Sequence, residues 1–264
     1  MPHLPKIERL QYGLIGLWTL AMIMLPIAKW ILGDDYIPQV VSIALMFQFI
    51  AVFYIISSVW GIKRALITLG IIALMTWVIE KIGSTTGFPF GGYHYTDSLN
   101  PQFQNVPLLV PLAWFMMLPS AWVVAKSIIG ESIHPNYRTM LFILMSGLAM
   151  TAWDLFLDPQ MVEWGFWRWE LPSDFSSLTY FGIPLVNYAG WLLTGILVTL
   201  VIRPDRMPSL PIKPLLLIYA ITWFLETFGL ALFWGQLGPA IVGGIVMGGI
   251  MIWAIRNHLN EVST

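Results

Sequence analysis

The sequence predicts an all-α fold, a single polytopic membrane bundle of about eight transmembrane helices. Of its 264 residues, 58% are hydrophobic and only 10% are charged, a composition that excludes an ordinary soluble domain. The apolar residues fall in runs of about 20, long enough to cross a hydrocarbon core of about 30 Å. Eight such runs are present: Leu10 to Leu32, Val40 to Trp60, Ala65 to Glu80, Val106 to Ile129, Tyr137 to Leu157, Ile183 to Ile202, Pro214 to Trp234 and Pro239 to Ile255.

The first apolar run and the absence of cysteine give further evidence about the class of protein and the kinds of site it can contain. The first run is too long, and its flanks too plain, for a cleaved signal peptide, so we expect it to be retained as a span. The chain has no cysteine, which excludes disulfides, thiolate metal sites and cysteine nucleophiles. Its formal net charge of −1 gives no indication of nucleic-acid binding. We therefore predict one integral membrane domain over residues 1–264.

The charged residues predict the orientation of this bundle. With eight spans, both termini and three of the loops share one side, which carries ten of the thirteen Lys and Arg residues. The positive-inside rule then places both termini in the cytoplasm. The acids divide the opposite way, with ten of fourteen in the outer half. Spans three, five and seven run outward, so their carboxyl groups are expected at one level near the outer end: Glu80, Asp154, Asp158 and Glu226.

The two longest outer connections, 83–105 and 159–182, are rich in Gly, Pro and aromatic residues. Non-helical backbone at membrane depth persists only where protein or a water-lined cavity satisfies its polar groups. Long loops of this kind are also more often functional than idle. We expect both connections to fold over the outer mouth as lid loops. His94 lies in the first of them, and catalytic, substrate-positioning and structural uses all remain open for it.

Asp154 and Asp158 are the most informative residues, because they end an apolar run with no basic residue close in sequence. An aspartate at the centre of a membrane helix costs roughly 2.5–3.5 kcal/mol on insertion scales, which favours a functional role. Their spacing of four puts both on one helix face, about 6 Å apart along the axis. Pro159 predicts that the helix ends at Asp158, so turn formation is the alternative role for that residue. Asp154, one turn deeper, is the stronger candidate.

The other polar candidates each have a structural alternative. Glu226 lies more than two turns inside the seventh run, where a hydrogen bond to another helix is the alternative to chemistry. Glu80 precedes Lys81 at a predicted helix end, where local pairing is ordinary. Asn187 supplies an amide at similar depth in span six. Most tryptophans fit interfacial belts, but three neighbour polar residues of the outer cluster and are candidates for a pocket wall: Trp153, Trp167 and Trp191.

This combination of residues suits one kind of acid catalysis. A carboxylic acid in apolar surroundings can stay protonated and so donate a proton, and aromatic faces can stabilise a developing cation. Both features favour protonation of an electron-rich trisubstituted alkene, followed by capture of the tertiary carbocation by water. The substrate would arrive from the lipid. Proton-coupled transporters also hold acids in membranes, so the residues alone leave that alternative open.

Several motifs in matching order resemble the membrane carotenoid biosynthesis protein family, and the likeness covers mainly residues 83–191. The motifs are GFPFGGYHYT at 87–96, VP at 106–107, PLAWFMM at 111–117, DLFLDPQM at 154–161, GFWRW at 165–169 and YFGIPLVNYAGW at 180–191. Outside this stretch the match is one of hydrophobicity only.

The resemblance implies a carotenoid hydratase, a hydro-lyase that adds water across the terminal 1,2 double bond of an acyclic end group. The implied substrate is gamma-carotene-like or bisanhydrobacterioruberin-like, with no cofactor and no metal, in a prokaryotic cell membrane. The implied partners are this lipid-soluble carotenoid, membrane lipid and other enzymes of carotenoid biosynthesis, with no nucleic acid.

Depth and spacing suggest a role for each candidate residue. Our hypothesis is that Asp154 protonates the alkene, and that Asp158 or His94 orients or deprotonates the water. Glu80 and Glu226 would tune the acid. The pocket would be lined by aromatic side chains and one amide: Trp153, Trp167, Tyr93, Asn187 and Trp191.

Two other functions remain open at this point. A magnesium-dependent prenyltransferase is one, since paired aspartates four apart also occur in membrane enzymes of that class. Such enzymes usually carry two acidic motifs and cations for the diphosphate, whereas the acidic half here has three basic residues. A proton-coupled membrane carrier, with the acids as a relay, is the other.

Overall fold

Eight long helices make up most of the computed structural model, which describes residues 6–130, 134–170 and 178–263. All eight are long and apolar enough to cross a membrane, which confirms the predicted class of fold. The helices are α1 (Lys6–Leu32), α2 (Ile37–Trp60), α3 (Ile62–Thr86), α4 (Leu109–Ile129), α5 (Pro135–Glu163), α6 (Leu185–Ile202), α7 (Ile212–Leu232) and α8 (Leu237–Ser263), with short 3₁₀ turns at Asp34–Tyr36 and Pro204–Arg206.

Helix α3 is longer at both ends than the predicted third span. It begins after Gly61 and ends before Gly87, and both glycines have positive φ angles that other residues rarely adopt. Glu80 therefore lies almost two turns before the helix end and is buried, rather than lying at the end beside solvent. The expected local pairing of Glu80 at a helix end is wrong, because the helix continues past it.

Helix α5 continues through Pro159, which corrects the predicted end at Asp158. Proline has no N–H to donate to the carbonyl four residues earlier, which here belongs to Leu155. The hydroxyl of Tyr180 donates to that Leu155 oxygen instead, at 3.1 Å. Since the freed carbonyl is satisfied, the helix runs one more turn, and Asp158 is a helix-interior residue rather than part of a turn.

Close packing of α8 sets the rotation of α5 about its own axis. A Cβ atom on Gly243 of α8 would lie 2.7 Å from the ring of Phe156 on α5, so the ring sits directly on the α8 backbone. Phe156 lies between Asp154 and Asp158 in sequence, on the opposite face of the helix. Anchoring Phe156 on α8 therefore turns both aspartates toward α6.

Three short antiparallel pairs of strands order the loops at one end of the bundle. The strands are β1 (Tyr93–Tyr95), β2 (Gln102–Phe103), β3 (Val106–Pro107), β4 (Trp167–Trp169), β5 (Thr179–Tyr180) and β6 (Ile183–Pro184). Strands β2 and β3 form a hairpin, as do β5 and β6, whereas β1 pairs with β4 and joins the two long connections to each other. Residues 171–177 of the second connection lie outside the described part of the chain.

The pairing of β1 with β4 decides which loop side chains face the bundle. Side chains alternate between the two faces of a strand, and the register places His94 opposite Arg168. Both of these side chains are exposed, whereas Tyr93 and Trp167 are buried. The inward face of this ribbon is therefore aromatic: Tyr93, Tyr95, Trp167 and Trp169.

Candidate active site

Asp154, Asp158 and Asn187 form the centre of the candidate site. Their exposed fractions are 0%, 2% and 1%. The Asn187 side-chain amide donates to Asp154 Oδ2 at 2.9 Å and also to Asp158 Oδ2. The indole of Trp167 donates to the other oxygen of Asp158 at 3.1 Å. Helix α5 contributes the acids as an i, i+4 pair, and the first turn of α6 contributes the amide that bridges them.

The two aspartates differ in their access to the interior cavity. Asp158 lies on the wall of a cavity of about 410 Å³, whereas Asp154 does not. Asp154 lies one layer behind, where its Oδ1 atom is buried with no hydrogen-bond partner in the described part of the chain. The structure thus brings both predicted aspartates together but places only Asp158 where it can touch a molecule in the cavity.

Glu80 is the third carboxyl group of this cluster. Its Oε2 atom accepts hydrogen bonds from the hydroxyls of Tyr93, at 2.5 Å, and Tyr95, at 2.7 Å. Burial, and then the neighbouring Glu80 charge, raises the pKa of both tyrosines well above its usual value, so both phenols stay protonated and donate. Glu80 also lines the cavity and interacts electrostatically with Asp158.

Glu226 lies on the same cavity wall but apart from this carboxyl cluster. It is 7% exposed and has no hydrogen-bond or charge partner among the described residues. Electrostatic interactions link Glu80 to Asp154 and Asp158, yet none links Glu226 to the three. The structure therefore brings Glu80 to the aspartate pair and does not bring Glu226 there.

His94 points away from the cavity. Its side chain is 53% exposed, and its Nδ1 atom lies 3.3 Å from Glu170 Oε1 on the outer face of the β1–β4 ribbon. The strand alternation that turns Tyr93 and Tyr95 inward turns His94 outward. The structure does not bring this residue to the predicted site.

The cavity wall is aromatic and holds several unused hydrogen-bond donors. Trp114 and Trp191 stack at 4.3 Å between ring centroids, and Trp153 meets Trp191 edge-on at 6.0 Å. All three line the cavity, and so does Trp167. Three of the tryptophans on this wall have a buried indole N–H with no acceptor in the described part of the chain: Trp18, Trp153 and Trp169. The buried indole of Trp114 interacts with the Glu80 carboxyl group.

Tyr95, Trp114 and Trp169 were not among the sequence candidates, although a signal for two of them was present. Aromatic and basic residues alternate in Tyr93-His94-Tyr95 and in Trp167-Arg168-Trp169, a period of two that predicts strands with one aromatic face. Trp114 has no comparable local signal, since it lies in a helix that is apolar on all sides.

Basic side chains are absent from the described wall of the cavity, which contains no Lys, Arg or His. A diphosphate group would need such cations to offset its charge. Nor do any three His, Asp or Glu side chains within the described ranges have an arrangement that could hold a metal ion. The cavity therefore suits an uncharged, largely hydrocarbon ligand.

The sequence is similar to a known protein family and to a curated relative. The sequence matches the family model described as "Carotenoid biosynthesis protein" over residues 40–250. A curated relative, the bisanhydrobacterioruberin hydratase of Haloarcula japonica, is 32% identical over 134 residues. That match covers 50% of this chain and 43% of the relative, so the chain spans less than half of the relative's length. No solved structure matches the chain.

Proposed function

This chain belongs to the carotenoid biosynthesis protein family, and on that premise we propose that it is a carotenoid hydratase. The reaction adds water across the terminal 1,2 double bond of an acyclic carotenoid end group, and the hydratase named among its relatives supports this reaction class. The observation that carries the proposal is the position of Asp158, a buried carboxyl group on the wall of an aromatic cavity.

Asp158 is the proton donor in this proposal, with Asp154 directly behind it. This assignment differs from the expectation from sequence, in which Asp154 protonates the alkene, because Asp158 is the one of the pair that lines the cavity. Two buried carboxylates that share one amide donor would repel each other strongly in surroundings of low dielectric. We infer that the pair therefore holds one proton between its two carboxyl groups.

The reaction needs one proton transfer from the acid to the alkene and a second from the attacking water back to the carboxylate. The acid delivers its proton to the less substituted alkene carbon, so a C–H bond forms as the π bond breaks and a tertiary carbocation remains. The faces of Trp153 and Trp191 stabilise this cation. A water oxygen then bonds to the cationic carbon, and the carboxylate takes up the proton that the water releases. The acid is regenerated, and the product is a tertiary alcohol.

A water molecule for this step has suitable partners beside the carboxyl cluster. Both tyrosines donate to Oε2 of Glu80, which leaves Oε1 to accept from water. The indole N–H of Trp114 is buried without a direct hydrogen bond in the described part of the chain, and it interacts with the same Glu80 carboxyl group. A buried water typically makes about three hydrogen bonds. We propose that Glu80 and Trp114 hold the attacking water opposite Asp158.

The test is expression in a host that accumulates acyclic carotenoids, followed by mass analysis of the pigments. We expect products heavier by one water with the unaltered protein, and their loss with Asp158→Asn. The matched control is Asp97→Asn, the same chemical change at an exposed loop aspartate, which should leave hydration intact. Pigments that stay unchanged with the unaltered protein, across acyclic and monocyclic substrates, would refute the proposal.

A further inference from the structure

The cavity opens sideways through the wall of the bundle between α1 and α7. Several residues line the cavity and are also exposed on the outside of the bundle, so the wall is incomplete where they lie. They belong to α1 or to α7 and its C-terminal end: Ile23, Trp30, Phe224, Phe228 and Phe233. The exposed apolar surface of a membrane-spanning helix faces lipid. The opening therefore connects the cavity with the hydrocarbon core.

Aromatic contacts between α1 and the C-terminal end of α7 close one end of this opening. Trp30 meets Phe233 edge-on at 5.7 Å, and the ammonium group of Lys29 lies 5.2 Å from the ring centre of Trp234. Ile23 lies seven residues before Trp30, about 10 Å further along the axis at 1.5 Å per residue. The result is an elongated slot whose closed end lies near the loops and whose open part lies deeper in the membrane.

Aromatic rings form one long edge of the slot. Phe224 and Phe228, one turn apart on α7, have ring centroids 4.5 Å apart and are about half exposed. On the facing helix, Pro26 lies within α1 and lines the cavity beside Met22. These side chains present apolar surface and polarisable rings, which fit a long conjugated hydrocarbon better than a compact solute.

We propose that this slot binds the conjugated body of the substrate, while only the reacting end group enters the cavity. The inference rests on the proposed hydratase function and adds the route by which the substrate reaches the acid. A cavity of about 410 Å³ encloses an end group but not a whole carotenoid. A stiff polyene cannot fold to fit, so its body must extend in a straight line out of the cavity, and the slot provides such a line into lipid.

The absence of cysteine makes a site-directed block straightforward. The Ile23→Cys variant would be labelled with a bulky maleimide in vesicles and compared with the same variant before labelling. The matched control is Leu17→Cys on the same helix. Leu17 is 50% exposed and Ile23 is 47% exposed, but Leu17 does not line the cavity. Phe228→Cys and Leu217→Cys form a second matched pair on α7.

Labelling of the Ile23 and Phe228 variants should lower carotenoid hydration about tenfold or more, since misplacing a reacting group is that costly. Labelling of the Leu17 and Leu217 variants should change hydration by less than about twofold, because their side chains face lipid away from the slot. Unchanged hydration after complete labelling at both slot positions would overturn the slot and leave the hydratase function standing.

A second readout does not depend on catalysis. Carotenoid in the vesicles should slow maleimide labelling of the Ile23 variant about fivefold, because a bound ligand is typically 70–90% buried by its site. Labelling of the Leu17 variant should not slow. If the unaltered protein fails to hydrate carotenoid, this protection would still support the slot. Labelling that depends on protein density but not on carotenoid would assign the surface to a second copy of the chain and overturn the inference.

Discussion

Replacing Asp158 with asparagine tests the proposed proton donor directly. Both oxygens of Asp158 accept hydrogen bonds, one from Asn187 and one from Trp167. An asparagine amide can accept through its oxygen only, so its NH₂ group must face one of these donors. One interhelical or loop hydrogen bond is lost, at a cost of about 1–2 kcal/mol. Asp154→Asn differs, because its amide oxygen can keep the hydrogen bond from Asn187 while its NH₂ group faces Asp158, with which the Asp154 carboxyl group interacts.

The expected loss of rate is larger than this structural cost. A positioned general acid contributes about 10²–10⁴-fold, which corresponds to about 3–5 kcal/mol of activation free energy. Asp158→Asn should therefore lower the hydration rate at least about a hundredfold while the protein still inserts and folds. Asp154→Asn should lower it less, by about tenfold, since that residue acts through its neighbour. The assay is the rate of hydrated pigment formation per amount of protein in isolated membranes.

Two results would refute this reasoning. Full hydration by the Asp158→Asn variant would remove the donor role, since an amide has no acidic proton to give. A greater loss in Asp154→Asn than in Asp158→Asn would show that Asp154 delivers the proton. Unfolding temperatures of both variants in detergent, compared with Asp97→Asn, separate loss of chemistry from loss of fold.

Three further predictions concern the surroundings of the pair. Asn187→Leu removes the donor shared by two buried carboxyl groups and should lower the free energy of unfolding by about 1–3 kcal/mol; an unchanged unfolding temperature would contradict the bridging geometry. Glu80→Gln keeps an oxygen that can accept from Tyr93 and Tyr95, so the fold should persist while hydration falls about tenfold; loss of folding would show that the charge is structural. Because the folded state raises the pKa of both tyrosines, it holds their protons more tightly than the unfolded state does. Stability should therefore decline as pH rises above about 10, the usual value for tyrosine, and this decline should be smaller in Tyr93→Phe, as measured by unfolding temperature against pH.

The helices and the aspartate pair were predictable because their signals are local. Twenty-residue apolar runs depend only on composition, and all eight runs correspond to helices. The i, i+4 spacing of Asp154 and Asp158 likewise depends only on helix geometry. The predicted end of α5 failed for a non-local reason, since the carbonyl freed by Pro159 is satisfied by Tyr180, which lies 25 residues from Leu155 in sequence.

The surroundings of the pair depend on tertiary contacts, and prediction was weaker there. The alternation in Tyr93-His94-Tyr95 separates the two tyrosines from His94, but which face turns inward follows from the pairing of β1 with β4 across more than 70 residues. Glu80 and Glu226 occupy similar depths in sequence, yet only Glu80 reaches the aspartates. Depth within a membrane is a one-dimensional property, whereas proximity also depends on which helices are neighbours.

The sequence by itself determined an integral membrane protein of eight helices with acids near one end, because hydrophobicity and helical spacing act along the chain. It also carried the family motifs, and the family match over residues 40–250 confirms that resemblance. The tertiary structure alone decided that Asp158 rather than Asp154 faces the cavity, that Asn187 bridges the two, and that the cavity opens between α1 and α7. These features arise from the rotation of packed helices and the register of paired strands, which depend on contacts between residues far apart in sequence.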